Sequence, residues 1–477
     1  MSGVRCFGFT LAAVIALIST ACREDDPFRP IAGFQADLLV DAGPDFIGPH
    51  SVGHSTMTIV LTGSTGERRP MDVHLWYPAD GGSHVASSPT VYRSRLFGIP
   101  LIPGTYDASS FEVPSSVARE GPAVDQAGPR FPLLIWSHGA GGDAINYAYQ
   151  EEALASHGYV VASPQHTGNG GDDGLVDALN LAAGHVVLPC LDNLPGPCAG
   201  DSFAKNIRDR VRDVTALINE LATSAPFGDR VDLERIGLIG QSRGAVTTIA
   251  AIAGNSTLGI AREPRIKAAF TMALGAEAYS PADLAGVSVP VLMMAGGSDE
   301  GTPPVTVRQI FDRLTNTSRM FVVVSNAEHR SFNSAYCTIM QAAGGVRVAN
   351  PRAFLEEETV RRLAAVQSLG SALDYCRYDF FVQPADIRPL VQATTGIPVT
   401  EALVPRTTDA DQVTTISTKL AVSFFNATLD QNRAKGLRFT RFLTPKYLMH
   451  HEASVEAAET IVRGDASCPP GQGCTQE

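Results

Sequence analysis

The five residues Gly240-Gln241-Ser242-Arg243-Gly244 constrain this chain more than any other feature. They follow an apolar run at 236–239 (IGLI) and precede 245–253 (AVTTIAAIA), which reads as a helix of small residues. A serine between a buried strand and a helix, with glycine two places to either side, is the pattern of a nucleophile elbow. So tight a turn would make flanking side chains collide, and this is why both glycines are needed. The helix that follows turns its N-terminal amides toward a developing negative charge.

Such a turn needs a sheet to leave from, and the sequence supplies one. Short apolar runs occur at 131–136 (FPLLIW), 159–162 (YVVA), 236–239, 267–273 (KAAFTMA), 289–295 (VPVLMMA) and 319–324 (RMFVVV). Strands apolar on both faces belong to a parallel sheet covered by helices on both sides. Between the runs lie helical stretches. The clearest places Ile207, Val211, Val214, Leu217, Ile218 and Leu221 on one face, with Arg208, Asp209, Arg212 and Asp213 on the other. Upstream, 56–61 and 71–77 alternate like strands around a Gly63–Gly66 turn, an antiparallel hairpin. The expected fold is therefore α/β: a doubly wound, mostly parallel sheet with an N-terminal antiparallel hairpin. Residues 84–129, rich in Ser, Pro and Gly, read as a surface excursion. Further insertions are expected at 167–202 and 331–412, and both leave strand ends where they can roof a pocket. An amphipathic helix is expected around 414–428.

A serine hydroxyl is a poor nucleophile until a base takes its proton. Where a nucleophile elbow is used, the partners follow in the order Ser, acid, His. Past the run 289–295 comes Gly296-Gly297-Ser298-Asp299, and past 319–324 comes Ser325-Asn326-Ala327-Glu328-His329. Asp299 is placed to hold one imidazole nitrogen of His329, fixing its tautomer and stabilising its cation. Glu300, Glu328 and Asp283 are rivals for the acid. Directly after 131–136 stands Ser137-His138-Gly139-Ala140-Gly141-Gly142, whose glycines let backbone approach a ligand. The amides of Ala140 and Arg243 are the candidate oxyanion hole. His138 competes with His329 as base, but it precedes the nucleophile and reads as structural.

The segments LWYPAD (75–80), WSHGAGG (136–142), SHGYVVASPQHTGN (156–169), GQSRG (240–244) and NAEHRSF (326–332) resemble bacterial relatives of platelet-activating-factor acetylhydrolase and dienelactone hydrolase, within the α/β-hydrolase superfamily. The resemblance covers most of 56–332 and, weakly, 414–428. It implies a carboxylic ester hydrolase that needs no metal or other cofactor, with Ser242 and His329 in a triad and the Ala140 and Arg243 amides at the oxyanion hole. The acetylhydrolase branch takes its acid just after the strand following the nucleophile, where this chain has Met272-Ala273-Leu274-Gly275. The acid therefore falls to Asp299, as in dienelactone hydrolases, which carry cysteine where this chain carries serine. An amidase or peptidase with the same triad, and a surface lipoprotein that binds a ligand without turning it over, are the alternatives.

The first 22 residues read as an export signal: Arg5, then an apolar run at 7–18 too short to span a membrane, then Ser19-Thr20-Ala21-Cys22. Small residues before a cysteine suggest lipidation of Cys22 and anchoring to a membrane, with ordinary cleavage near Ala21 as the alternative. Residues 23–50 read as a tether and 51–477 as the folded domain. Apart from Cys6 and Cys22 the cysteines are Cys190, Cys198, Cys337, Cys376, Cys468 and Cys474, an even set of the kind an exported chain oxidises. Proximity favours Cys190–Cys198 and Cys468–Cys474, leaving Cys337–Cys376, among about 15 possible connectivities. A net charge of −12 argues against a nucleic-acid partner. The expected partner is a small or lipid-like ester. His157, His166, His185, His450 and His451 stand at spacings that suggest ordinary packing or exposure rather than metal binding, and Asp172-Asp173 read as a solvated loop.

Overall fold

In the runs apolar on both faces, successive side chains go to opposite sides of a sheet. Leu133 and Ile135 enter one core, Leu134 and Trp136 the other, and each is fully buried. Burying such a side chain contributes about 1.5–3 kcal/mol, so the two faces hold the sheet from both sides. The structure, a computed structural model, describes residues 28, 46–63, 66, 68–93, 112–140, 142–169, 201–224, 226–275, 279–299, 301–327, 329–333, 410–430 and 433–463. Cys22 and its leader, the cysteines expected to pair, His185, Asp172-Asp173 and most of the insertions 167–202 and 331–412 lie outside these residues.

The chain opens with strands β1 (Val52–Thr62) and β2 (Arg68–Pro78), a short helix α1 (Gly81–Ala86), and strands β3 (Pro89–Arg93) and β4 (Glu112–Glu120). Strand β5 (Phe131–Ser137), helix α2 (Ala148–Ser156), strand β6 (Val160–Pro164) and helix α3 (Asp201–Leu221) follow. Then come β7 (Val231–Gln241), α4 (Arg243–Ala253), β8 (Ile266–Met272), α5 (Pro281–Ala285), β9 (Val291–Gly296), α6 (Pro304–Arg313) and β10 (Arg319–Val324). The chain closes with α7 (Ala410–Leu429), α8 (Arg433–Thr440), α9 (Pro445–His451) and β11 (Val455–Ile461).

Among the described residues the strands form one sheet in the order β11-β10-β9-β8-β7-β5-β6-β2-β1-β4-β3. From β10 to β6 the neighbours are parallel, and β1 and β2 pair antiparallel from Val52↔Pro78 to Thr62↔Arg68. This is the doubly wound sheet with the opening hairpin that the hydrophobic pattern predicts. Helices α3, α4 and α6 cover one face and α2 with α7 the other.

Five features depart from the sequence reading. Residues 84–129 are more than an excursion, because β3 and β4 extend the sheet through β1. At the opposite edge β11 pairs antiparallel with β10. In α3 the apolar face is buried as expected, but Asp213, assigned to the polar face, is fully buried on an ion pair with Arg69 at 2.7 Å. Helix α7 is buried on its polar side too. Thr418 and Asn426 donate there to the Thr414 and Val422 carbonyls, 2.7 and 2.8 Å away, so their polar groups bury at little cost. In the expected tether, Phe28 is buried and stacks on Phe424 with ring centroids 5.7 Å apart.

Candidate active site

Ser242 stands between β7 and α4 with φ 54° and ψ −118°, a left-handed conformation that costs a non-glycine residue about 1–3 kcal/mol. The surroundings enforce it. A Cβ on Gly240 would lie 2.1 Å from Gly244 O, and one on Gly244 would lie 1.8 Å from Ser137 O. Both contacts are impossible, which is the steric demand inferred from the sequence. The Ser242 amide donates to Met272 O at 2.9 Å, tying the turn to the end of β8. Arg243 supplies the first amide of α4, and its guanidinium lies over the Phe203 ring at 4.9 Å.

Strands β9 and β10 run parallel, with Gly296 opposite Val324, so the loops that leave them emerge side by side. One carries Asp299 and the other His329, at the start of a 3-10 turn (His329–Asn333). His329 Nδ1 lies 2.9 Å from Asp299 Oδ2, and His329 Nε2 lies 2.8 Å from Ser242 Oγ. Asp299 is buried at 2% exposure. Desolvation alone would raise its carboxyl, but bonds from His329 and from the Thr302 hydroxyl and amide hold it below the ordinary carboxylate range. An ionised Asp299 fixes the proton on Nδ1 and leaves Nε2 to accept from the serine.

Asp283 is engaged elsewhere. It caps α5 and accepts from Ser256 and Ser280. Glu300 and Glu328 lie outside the described residues.

Three neighbours of this group carried no signal that the sequence reading used. Thr302 donates to Asp299 twice, through its amide and its hydroxyl, each at 2.6 Å. Its Oγ1 is also 3.2 Å from His329 Nδ1. The spacing of threonine three places after aspartate was a weak pointer to this turn. Gln241 accepts from Tyr147 Oη at 3.0 Å and donates to His329 O at 3.2 Å, linking the segment after β5, the elbow and the histidine loop. Arg210, fully buried on α3, donates to His138 O at 2.6 Å and Gly139 O at 3.3 Å.

The segment after β5 runs against the elbow: a Cβ on Gly139 would stand 3.4 Å from Ser242 Cβ. Ala140 is the next residue and is exposed. His138 and His166 are buried behind this segment, their rings 5.2 Å apart. Burial, and then the Arg210 charge, push both imidazoles well below the ordinary histidine range and keep them neutral. His138 Nε2 accepts from the His166 amide at 3.1 Å, so it faces into the protein and away from the base's position. His166 is committed to Asp213 at 2.8 Å.

Comparisons with known proteins bear on this arrangement. A family model described as PET hydrolase-like matches residues 136–362, and one described as platelet-activating factor acetylhydrolase, isoform II, matches residues 41–171. A search of curated proteins returned no match. Among solved structures, a ferulic acid esterase from Streptomyces cinnamoneus superposes with a TM-score of 0.50 at 20% identity, covering 82% of this chain and 92% of that one. That likeness is one of fold.

Proposed function

From a chain that belongs to the α/β-hydrolase serine esterases, and so is a carboxylic ester hydrolase, we propose an exported enzyme that works through an acyl-enzyme on Ser242. The observation that carries this reading is the continuous chain from Asp299 Oδ2 to His329 Nδ1 at 2.9 Å and from His329 Nε2 to Ser242 Oγ at 2.8 Å.

In the first half-reaction Ser242 Oγ attacks the ester carbonyl while His329 Nε2 takes its proton. Asp299 stabilises the imidazolium that results. The carbonyl oxygen becomes an oxyanion and is met by the Ala140 and Arg243 amides, the second aided by the N-terminus of α4. As the tetrahedral species collapses, the alcohol leaves with the proton from His329 and the acyl group stays on Ser242. In the second half His329 takes a proton from water, the hydroxide attacks the acyl carbonyl, and the carboxylic acid leaves as Ser242 recovers its proton.

The matching families and the fold neighbour are named for esters of different acids and alcohols, so the acyl group is set by residues around this centre rather than by the centre itself. We place the enzyme in the cell envelope, with Cys22 as the lipid-bearing residue, on the strength of the apolar leader and the small residues before Cys22.

The test is turnover of p-nitrophenyl esters from acetyl to palmitoyl, of a feruloyl ester and of PET film, by residues 23–477 and by the Ser242→Ala variant. Hydrolysis that disappears in the variant supports the assignment. Turnover that survives it removes Ser242 from the mechanism.

A further inference from the structure

The Gly139 carbonyl is held by more donors than a turn requires. It accepts from Gly142 N at 3.2 Å, from His138 Nδ1 at 2.7 Å and from Arg210 Nη2 at 3.3 Å. The histidine's role follows from its other nitrogen. The His166 amide can only donate, so His138 Nε2 accepts from it and the proton sits on Nδ1, aimed at Gly139 O.

Arg210 reaches this point from the middle of α3 with no exposed surface of note. Its guanidinium also grips His138 O at 2.6 Å, Ser137 Oγ at 3.4 Å and Asn169 Oδ1 at 2.8 Å. The nearby carboxylate, Asp213, is engaged by Arg69 at 2.7 and 3.2 Å and by His166 Nδ1 at 2.8 Å. Arg210 thus divides its donors between Asn169 Oδ1, which accepts from Nε at 3.1 Å as well as from Nη2, Ser137 Oγ, and the two carbonyls of the short segment that precedes Ala140.

A peptide unit is planar and trans, so the Gly139 carbonyl and the Ala140 N–H point in opposite directions. Fixing the carbonyl against the interior fixes the N–H toward the outer side, where Gly139 approaches Ser242. A cation on the carbonyl oxygen also draws electron density through the amide and makes its N–H a stronger donor. We propose that Arg210 is a positioning residue for the oxyanion hole, holding and polarising the Gly139–Ala140 peptide from behind, with His138 as its neutral partner on the same oxygen. This rests on the ester-hydrolysis reading above, because the oxyanion it serves forms only in that reaction.

The inference separates from a merely structural role by where the loss appears. In a thionoester the developing charge sits on sulfur, a much weaker hydrogen-bond acceptor than oxygen, so oxyanion donors matter less. The ratio of kcat/KM for an ester to that for the matching thionoester therefore reports on the donors. It does not depend on how much of the protein is active, so partial misfolding leaves it unchanged. In the full mature chain, Arg210→Gln is expected to lower kcat on the ester about tenfold, with KM changed less than about twofold, and to lower the ester-to-thionoester ratio severalfold. Arg210→Lys, which keeps the charge, should recover part of both. Asn169→Ala, a milder change that only loosens the guanidinium, should move the ratio the same way by less.

An unchanged ratio in Arg210→Gln and Asn169→Ala, whatever the loss of rate, would overturn the proposal and leave Arg210 as packing. Measuring Ser242→Ala alongside separates the two levels of the argument. Should it retain wild-type turnover, the esterase reading fails and this inference falls with it. Should it be inactive while the ratios stay constant, only this inference fails.

Discussion

Ser242 Oγ and His329 Nε2 lie 2.8 Å apart across 87 residues of chain. The closeness follows from the sheet order, since β7 and β10, the strands that lead into these residues, are separated by only β8 and β9. An elbow with no exit other than φ 54° presents the hydroxyl, and the loop after β10 brings the imidazole to it. Replacing Ser242 by alanine removes the attacking atom and no packing. Ester turnover should fall by at least about 10⁴-fold, and labelling by a fluorophosphonate should be lost. The thermal midpoint should be unchanged within a degree or two. A variant that still accepts the label would assign the nucleophile elsewhere.

Thr302 is the second test of the same geometry. Its hydroxyl donates to the Asp299 oxygen that also faces His329, and this bond helps keep the carboxyl ionised. Thr302→Val removes the hydroxyl and keeps the shape, so the Asp299 carboxyl should rise toward its ordinary value. Its folded-state value is depressed, so its contribution to stability and to holding His329 is present at neutral pH and lost as pH falls. The variant should lose that contribution at a higher pH. The low-pH loss of kcat/KM is expected to begin at a higher pH, with about a tenfold loss at neutral pH, whereas Asp299→Asn should cost about 10⁴-fold at neutral pH and less at acid pH, where wild-type Asp299 is itself protonated.

A buried carboxyl away from the site sets a different pH dependence. Glu152 on α2 is buried, and its Oε1 accepts from Tyr92 at 2.6 Å and Ser115 at 2.5 Å. Desolvation pushes it up to about 7, although those hydroxyls pull the other way. An acid raised on folding favours the folded state while protonated, so the contribution of Glu152 to stability is greatest below about pH 4.5. It declines as pH climbs from there to about 7, because the unfolded chain releases its proton first. Urea unfolding at pH 5 and pH 8 should show the protein weaker at pH 8. Glu152→Gln, which keeps an acceptor at Oε1, should flatten the difference. A difference as steep in the variant would locate the dependence elsewhere, with Glu151 next, since burial raises it well above its ordinary range too.

The residues proposed as the triad were legible because each sits at a point where local chemistry is unambiguous. Ser242 has glycines that only a tight turn needs, and Asp299 and His329 follow apolar runs in the right order. Arg210, Thr302 and Gln241 act through partners that periodicity does not reveal. Arg210 meets carbonyls 72 and 71 residues away, and Asp213, placed by helical spacing on the wet face of α3, is claimed by Arg69 from 144 residues upstream. Strands β3, β4 and β11 escaped for another reason. They lie toward the edges of the sheet, where one face need not be apolar, and β11 buries only Val455 outright. A continuous hydrophobic run finds central strands and passes over such edges.

Gly244 offers the sharpest test of the elbow itself. A Cβ there would stand 1.8 Å from Ser137 O and 2.8 Å from His138 O, both backbone atoms at the end of β5 that cannot step aside without moving the sheet. Gly275, just past β8, is the control, since a Cβ on it would meet only Val246 Cγ2 at 3.4 Å, an ordinary contact. Gly275→Ala should therefore fold with stability within about 1 kcal/mol of wild type and remain active. Gly244→Ala should lose about 3 kcal/mol or more, and whatever folds should be inactive, because α4 can accommodate the methyl only by withdrawing from β5. That withdrawal carries the Arg243 amide away from Ala140 and opens the site even where the rest of the sheet survives. Urea melts and ester turnover on both variants decide the matter, and an active, stable Gly244→Ala would show that α4 is not pressed against β5 as closely as the 1.8 Å approach requires.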